Sequence, residues 1–505
     1  MLRLVLRLTG AVSLTAGAVA LAVGCGGVEP DPLPQPEPTE VTFPPQFLWG
    51  TGTAGFQIES GLDHTDWGIW ASLPGKIAGD DQPNDGPDAL AHIASDVGLM
   101  ATMGLTSYRF SIELARVYPT RADFDADTPD VAGLAAYDEL IDALGDEGIE
   151  PLVTLHHFVW PSYVRDPTQP TEPQGFERDD TVALFESWCS RMGAHFGDRV
   201  DLWVTLNEPL VEASVGYLAS IFPPGVSDTD RLVAVMKRQV RAHARCYDAL
   251  HETDQTDANG DGVAAMVSIA KHDRVYEPFD ASLDTDLDAV RRATHFWNRW
   301  FTDAIVLGDL DEDFDGDVDV TGDPALVGRA DYLGLNYYGV SKVGTLSLEL
   351  PHVGPVPVQI ALLNDRPKTD LRWDIYPAGF AVVIDEMARY GLPIYITENG
   401  LADSKDVNRS RFLAEHLFEI GKAMLRGVDI RGYYHWSLID NFEWAGGFCP
   451  RFGFYSVDYD SPERTRSATA AVPLMADIAA TLRLTQATID GLPAYLSAPA
   501  PCEGF

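Results

Sequence analysis

The chain has 505 residues, 46% of them hydrophobic, which is ample for a large core. Its 36 basic and 76 acidic residues leave a net charge of −40, which repels nucleic acid and anionic lipid head groups and excludes both as electrostatic partners. At roughly 150 residues per domain the length admits three domains, but a barrel also reaches this size as one unit.

Arg3 and Arg7 precede a small and apolar run from Leu8 to Val23, closed by Leu21-Ala-Val-Gly-Cys25. The run is shorter than the roughly 20 residues of a spanning helix and has the form of a bacterial lipoprotein signal peptide over residues 1–24. Cys25 is then the lipidated first residue of the mature chain. Ala22 stands where such signals prefer Leu. Residues 25–42 carry Pro30, Pro32, Pro34, Pro36 and Pro38 among acids, a pattern of extended, semi-rigid polyproline II suited to a tether. The expected location is the bacterial cell envelope, on the outer membrane or cell surface, or the medium. The membrane is met only through the lipid.

From Phe43 onward, short apolar runs alternate with amphipathic stretches. Strands are expected at 47–51, 107–112, 151–157, 202–206, 263–270, 331–337, 392–397 and 432–437, from their β-branched and aromatic content and the turn residues that bound them. Helical periodicity marks 134–144, 182–196, 231–251 and 409–425. Eight such units over residues 43–486 predict a single (β/α)8 barrel with loop insertions, its site at the carboxyl ends of the strands. Residues 487–505 read as an added tail.

Those strand ends carry polar chemistry that barrel packing does not need. Leu202-Trp-Val-Thr-Leu-Asn-Glu208 and Ile394-Tyr-Ile-Thr-Glu398 each end a buried run in a glutamate. Two carboxylates so placed suit a retaining glycosidase: one attacks the anomeric carbon, and the other protonates the leaving oxygen and later activates water. Gln57, Arg109, His157, Asn207, Tyr338, Trp436, Glu443 and Trp444 stand at other strand ends. Converging amides, imidazoles, carboxylates and indoles make a sugar site, bonding hydroxyls and stacking on apolar ring faces.

From Phe43 to Asp460 the chain resembles glycoside hydrolase family 1, the β-glucosidase family. The motifs that carry the resemblance are Phe43-Pro-Pro-Gln-Phe-Leu-Trp-Gly50, Tyr108-Arg-Phe-Ser111, Thr154-Leu-His-His157, Thr205-Leu-Asn-Glu-Pro209, Gly334-Leu-Asn-Tyr-Tyr338, Ile396-Thr-Glu-Asn-Gly400 and Trp436-Ser-Leu-Ile-Asp-Asn-Phe-Glu-Trp444. The resemblance implies Glu398 as nucleophile and Glu208 as acid/base, with Arg109 and Tyr338 beside the nucleophile. It implies Asn207 on the sugar 2-hydroxyl, and Gln57, His157, Glu443 and Trp444 around the glycone. Trp436 would form the floor, and Trp373 would meet the aglycone. No cofactor is implied. Phe158 replaces a frequent Trp, as does Leu114, and Pro450 replaces a Lys; these departures bear on substrate preference. A transglycosylase with the same covalent intermediate, or a non-catalytic sugar-binding barrel, are the alternative readings.

Two acidic clusters, Asp257/Asn259/Asp261 and Asp311/Asp313/Asp315, have the alternate-position oxygens of a calcium loop but lack its final Glu. They are candidates for structural Ca²⁺ or for solvated turns. Of the remaining cysteines, Cys449 and Cys502 could bridge an active-site loop to the tail. Cys189 and Cys246, in helical patterns, are expected as buried thiols.

Overall fold

The computed structural model describes residues 37–344, 348–350, 354–356, 364–496 and 502. The chain divides into Met1–Pro38 and Thr39–Phe505; the expected signal segment and Cys25 lie outside the described residues. Among the described residues no helix is long and apolar enough to cross a membrane.

Eight parallel strands close a barrel. They are β1 Leu48–Gly52, β2 Ser107–Ser111, β3 Glu150–Thr154, β4 Leu202–Asn207, β5 Met266–Pro278, β6 Leu333–Val343, β7 Ile394–Asn399 and β8 Ile430–Trp436. Each pairs with the next in chain order, and β8 returns to β1. A helix follows each strand before the next: α1 Ile93–Thr102, α2 Val131–Asp146, α3 Asp179–Phe196, α4 Thr229–Thr253, α5 Asp284–Thr294, α6 Pro377–Ala388, α7 Arg409–Leu425 and α8 Ala471–Thr481. A strand buried on both faces has no polar side to alternate with, which is why β4 and β7 are buried at every position. Alternate residues Leu152, Leu202, Val204, Tyr395 and Tyr434 fill the barrel's interior. Their neighbours Val153, Trp203, Ile394 and Ile396 join the larger core under the helices.

Four expectations are corrected. β5 runs well past Ala270, to Pro278, because residues 271–278 pair with β6; no apolar run announced this. The tether does not extend to Thr42. A strand at Glu40–Thr42 pairs antiparallel with Arg483–Thr485, and Val41 is buried against Gly421 of α7, where any Cβ would lie 2.4 Å from it. Residue 486, read as the end of the barrel domain, instead opens a helix that runs into the tail, and the tail packs back on α7 over its described part. A helix spans Gln486–Asp490, Tyr495 Oη donates to Glu415 (2.8 Å), and Leu496 exchanges backbone bonds with the Asn408 side chain (2.9 Å each). Cys502 bridges to Cys449, as the sequence allowed. Finally, Cys189 and Cys246 are a disulfide, not thiols, with Cα atoms 5.3 Å apart. Each lies on the buried face of its helix, and α3 and α4 pack together, which their separate periodicities do not reveal. Closing a loop of 57 residues contributes about 4 kcal/mol in the chain-entropy account.

Both acidic clusters fold as turns closed by their own backbone. Gly260 and Gly262 donate to Asp257, and Asp261 donates to Asn259. Asp311, Asp313 and Asp315 bring one oxygen each within 4.8 Å of one another. Asp311 also holds His295 at 2.8 Å.

Candidate active site

The two strands that end in glutamates both leave the regular ladder just before them. The register of β7 against β6 shifts between Tyr395 and Glu398, and that of β4 against β5 shifts between Val204 and Asn207. Such irregularities re-aim side chains at barrel rims. Glu208 itself sits at φ 44°, ψ 57°, just ahead of the helix Pro209–Tyr217. A left-handed non-glycine residue costs on the order of 1–3 kcal/mol and persists where its surroundings over-determine it. Here the Glu208 N–H is tied to the Ala270 carbonyl at 2.7 Å. Beside β7, a Cβ on Gly400 would lie 1.9 Å from the Trp436 carbonyl, so only glycine lets the ends of β7 and β8 close on the site.

Arg109, from β2 and fully buried, organises the floor. Its Nη1 donates to Glu398 Oε1 (2.5 Å) and to the Thr397 carbonyl (3.1 Å), its Nη2 to Asn207 Oδ1 (2.7 Å), and its Nε to Thr154 Oγ1 (3.3 Å). Tyr338 Oη donates to the other Glu398 oxygen at 2.7 Å. Both oxygens of Glu398 therefore accept, one of them from a cation. The Tyr338 phenol is pushed well above its ordinary range by burial and by the Glu398 charge, so it remains a donor.

Glu208 is treated oppositely. Its Oε1 accepts from Asn336 Nδ2 at 2.8 Å, and no cation is paired with it among the described residues. Burial first, then the Glu398 charge, push its carboxyl up to about 8, against the pull of Asn336 and Arg109. One continuous chain of hydrogen bonds, Glu398–Arg109–Asn207–Asn336–Glu208, joins the two carboxyls.

The Arg109 contact fixes which way the Asn207 amide faces, so its Nδ2 points at His157 Nε2, 3.1 Å away. Burial, then the Arg109 charge, hold His157 well below its usual range. A neutral imidazole accepting at Nε2 carries its proton on Nδ1, and Nδ1 has no partner among the described residues. Gln57 Oε1 is likewise unpartnered, while its Nε2 donates to Asn441, Phe442 and Glu443 at 3.0–3.3 Å. Buried polar atoms without partners are rare and call for an explanation; a donor and an acceptor left over on adjoining walls match sugar hydroxyls. Glu443 is pushed up to about 8 by burial and then by Glu398, so as a neutral acid it can both donate and accept.

Trp436 and Trp444 flank the His157 ring at 5.8 and 6.0 Å, all nearly parallel. Trp373 stands further out against Tyr338 and Phe452, at 5.6 and 6.3 Å. Phe158, in the place of the expected Trp, packs on Trp444 at 5.3 Å. Together these groups enclose a cavity of about 360 Å³ that reaches Glu208, Glu398, Asn207, His157, Tyr338, Trp373, Trp436, Glu443 and Trp444. Gln57 adjoins the cavity through Glu443, and Arg109 through Glu398 and Asn207. Asn336, from the Gly334-Leu-Asn-Tyr-Tyr338 motif, belongs to the site as well, with Phe222 and Phe452 and, outside any motif, His272, Arg274 and Trp297. His272 and Arg274 carry a signal, two polar residues at period two, but they lie past the 263–270 run from which a strand is expected.

The family model described as Glycosyl hydrolase family 1 matches residues 39–482. A β-galactosidase of Pyrococcus woesei is 31% identical, covering 84% of this chain and 94% of its own. β-Glucosidase A of Thermotoga maritima is 31% identical over the same shares of the two chains. Among solved structures, a rice β-glucosidase mutant in a covalent complex with Glc superposes with a TM-score of 0.76 at 28% identity, covering 86% of this chain and 99% of that one.

Proposed function

We propose a mechanism from the premise that the chain belongs to glycosyl hydrolase family 1. It is a retaining β-glycosidase, an O-glycosyl hydrolase that works by double displacement through a covalent glycosyl-enzyme. The observation that carries the residue roles is the opposite treatment of its two glutamates: Glu398 has both oxygens hydrogen-bonded, one by Arg109, and Glu208 is held protonated by burial beside it.

In the first step Glu398 attacks the anomeric carbon while Glu208 gives its proton to the departing oxygen. The bond to the leaving group breaks, and Glu398 becomes a neutral ester. The charge that helped hold the Glu208 proton is then gone, so its pKa falls when it must act as a base. Glu208 takes a proton from water, the water oxygen attacks the anomeric carbon, and Glu398 leaves as the anion. Two inversions give net retention. Asn207, oriented by Arg109, meets the 2-hydroxyl; His157 Nδ1, Gln57 Oε1 and Glu443 meet the remaining hydroxyls of the glycone.

The pH dependence follows with a definite sign. Glu208 must be protonated at rest, so kcat/KM is sustained below its pKa and falls as pH rises through about 8. Glu443 is raised into the same range, so substitution must assign the limb. In Glu208→Gln, assayed with a dinitrophenyl glycoside, the basic limb disappears; a limb unchanged in position would give it to Glu443.

We also propose that the glycone is glucose or galactose, in keeping with relatives named β-glucosidase and β-galactosidase. A panel of nitrophenyl β-glycosides on the purified enzyme tests this, with NMR of the first-formed anomer. Turnover confined to α-glycosides, or an α first product, would overturn the reading.

Export with lipidation at Cys25 is the proposed setting. It rests on the residues of 1–38 and is supported by two disulfides, which persist in oxidising compartments. The full-length protein is expected in the membrane fraction and Cys25→Ala in the soluble one; equal partition sinks the anchor. Deletion before Thr39, which keeps the Glu40–Thr42 strand, is expected to give a soluble enzyme of unchanged kcat/KM.

A further inference from the structure

β5 presents its residues 271–274 alternately to two sides. Lys271 and Asp273 form an ion pair with each other, and Lys271 also donates to the Trp297 carbonyl at 2.8 Å; that side is self-compensated. His272 and Arg274 line the cavity. The register of β5 against β6 shifts between Asp273 and Val275, so the irregularity falls on Arg274.

Among the described residues Arg274 is a cation without a counter-ion. Its Nη1 donates to Ser341 Oγ at 2.9 Å, its Nε is buried with no partner, and no carboxylate pairs with it among the described residues. Two fully buried arginines are paired with carboxylates, Arg109 with Glu398 and Arg165 with Asp66 and Glu212, while Arg409 donates to four backbone carbonyls and lies 3.5 Å from Asp406. Of the two carboxyls whose charges reach it, Asp374 is held by Lys368, and Glu208, the acid that keeps its proton, accepts from Asn336 at 2.8 Å. Burial pulls the Arg274 pKa below its ordinary value, so the site taxes this charge. Arg274 is half-buried, and a charge withdrawn from water is costly unless something pairs with it.

Its place in the barrel says which part of a substrate it meets. Gln57 and Glu443, from the loops after β1 and β8, hold the glycone side. β5 lies across the closed barrel from β1, next to the strand that delivers Glu208. Arg274 therefore faces the leaving group, in a stretch of wall shared with His272, Trp297 and Trp373.

We propose that Arg274 is a specificity-determining residue and that the leaving groups this enzyme selects carry a carboxylate. The free Nε–Nη2 edge of the guanidinium matches the two oxygens of a carboxylate, and Trp373 and Trp297 offer faces for an aromatic or apolar body. In a chain of net charge −40 such a substrate is repelled at long range, so a local cation is what lets it dwell. The proposal rests on the glycosidase reading above, in which Glu208 marks the leaving-group side.

The test compares the 4-carboxyphenyl β-glycoside with its methyl ester at 0.15 M salt or above, where long-range repulsion is screened. The ratio of their kcat/KM values is measured in wild type, Arg274→Met and Arg274→Lys. Using the ratio cancels any general loss of activity in a variant. Arg274→Met is expected to lower the acid-to-ester ratio by about 10- to 100-fold, the value of a hydrogen-bonded charge pair, with Arg274→Lys recovering part of it. A ratio unchanged within twofold, while both substrates turn over, overturns the proposal. If the variant fails to fold, calorimetric titration of the wild type with 4-hydroxybenzoate and 4-hydroxybenzamide decides. Tighter binding of the anion by about tenfold supports the proposal, and equal affinity sinks it. Failure of the wild type to hydrolyse any neutral aryl β-glycoside would instead strike the glycosidase reading, and the titration needs no turnover.

Discussion

Glu398→Ala abolishes turnover of every glycoside, by on the order of 10⁴-fold or more, because no other group can form the glycosyl-enzyme. The loss does not depend on leaving-group ability. An activated dinitrophenyl glycoside suffers as much as an alkyl one, since the missing element is the attacking oxygen. The substitution also leaves Arg109 Nη1 and Tyr338 Oη without the acceptors they hold at 2.5 and 2.7 Å. The small anion azide fits that vacancy, between a cation and a phenol donor. It is expected to attack from the face Glu398 occupied and to give the α-glycosyl azide. NMR of the product checks this; the β-azide would show that the nucleophile lies elsewhere.

Glu208→Ala fails in a different way. It removes the proton donor and leaves the nucleophile with both its partners, so the cost is about 10²- to 10⁴-fold for leaving groups that need protonation. Dinitrophenolate needs none, so glycosylation survives. The intermediate then accumulates for want of a general base, visible as a burst and as a mass increment on the protein. Azide requires no deprotonation and restores turnover, now giving the β-glycosyl azide because it displaces the ester from the opposite face. Two further consequences separate this variant from a merely damaged one. The basic limb near pH 8 is lost with the group that made it, and the ratio between activated and unactivated substrates widens. Rescue with the α product would mean that the two roles are exchanged.

The parts of this protein that the sequence made legible are those governed by short-range pattern. β7 could be read from Ile394-Tyr-Ile-Thr because a strand covered on both faces must be apolar throughout. α7 was legible at both ends because its buried stripe recurs at helical spacing. The end of β5 was not, since Lys271-His-Asp-Arg274 looks like a loop until Lys271 and Asp273 are seen to neutralise each other and β6 to supply the ladder. The tail failed for the same reason. Tyr495 and Leu496 have no local partners, and what holds them, Glu415 and Asn408, is some 80 residues away in the chain.

By itself, then, the amino-acid order determined the eight-fold alternation of strand and helix, the two glutamates at strand ends, and the motifs that identify the family. All of these are properties of residues within one turn or one strand of each other. Tertiary structure alone decided which glutamate is bonded by a cation and which keeps its proton. That division depends on Arg109 reaching Glu398 from another strand and on the charge of Glu398 falling across the cavity on Glu208. It alone joined Cys189 to Cys246, and it alone brought Arg274 into the wall of the cavity. Electrostatics and cross-links act through space, over distances that the order of residues along a chain does not contain.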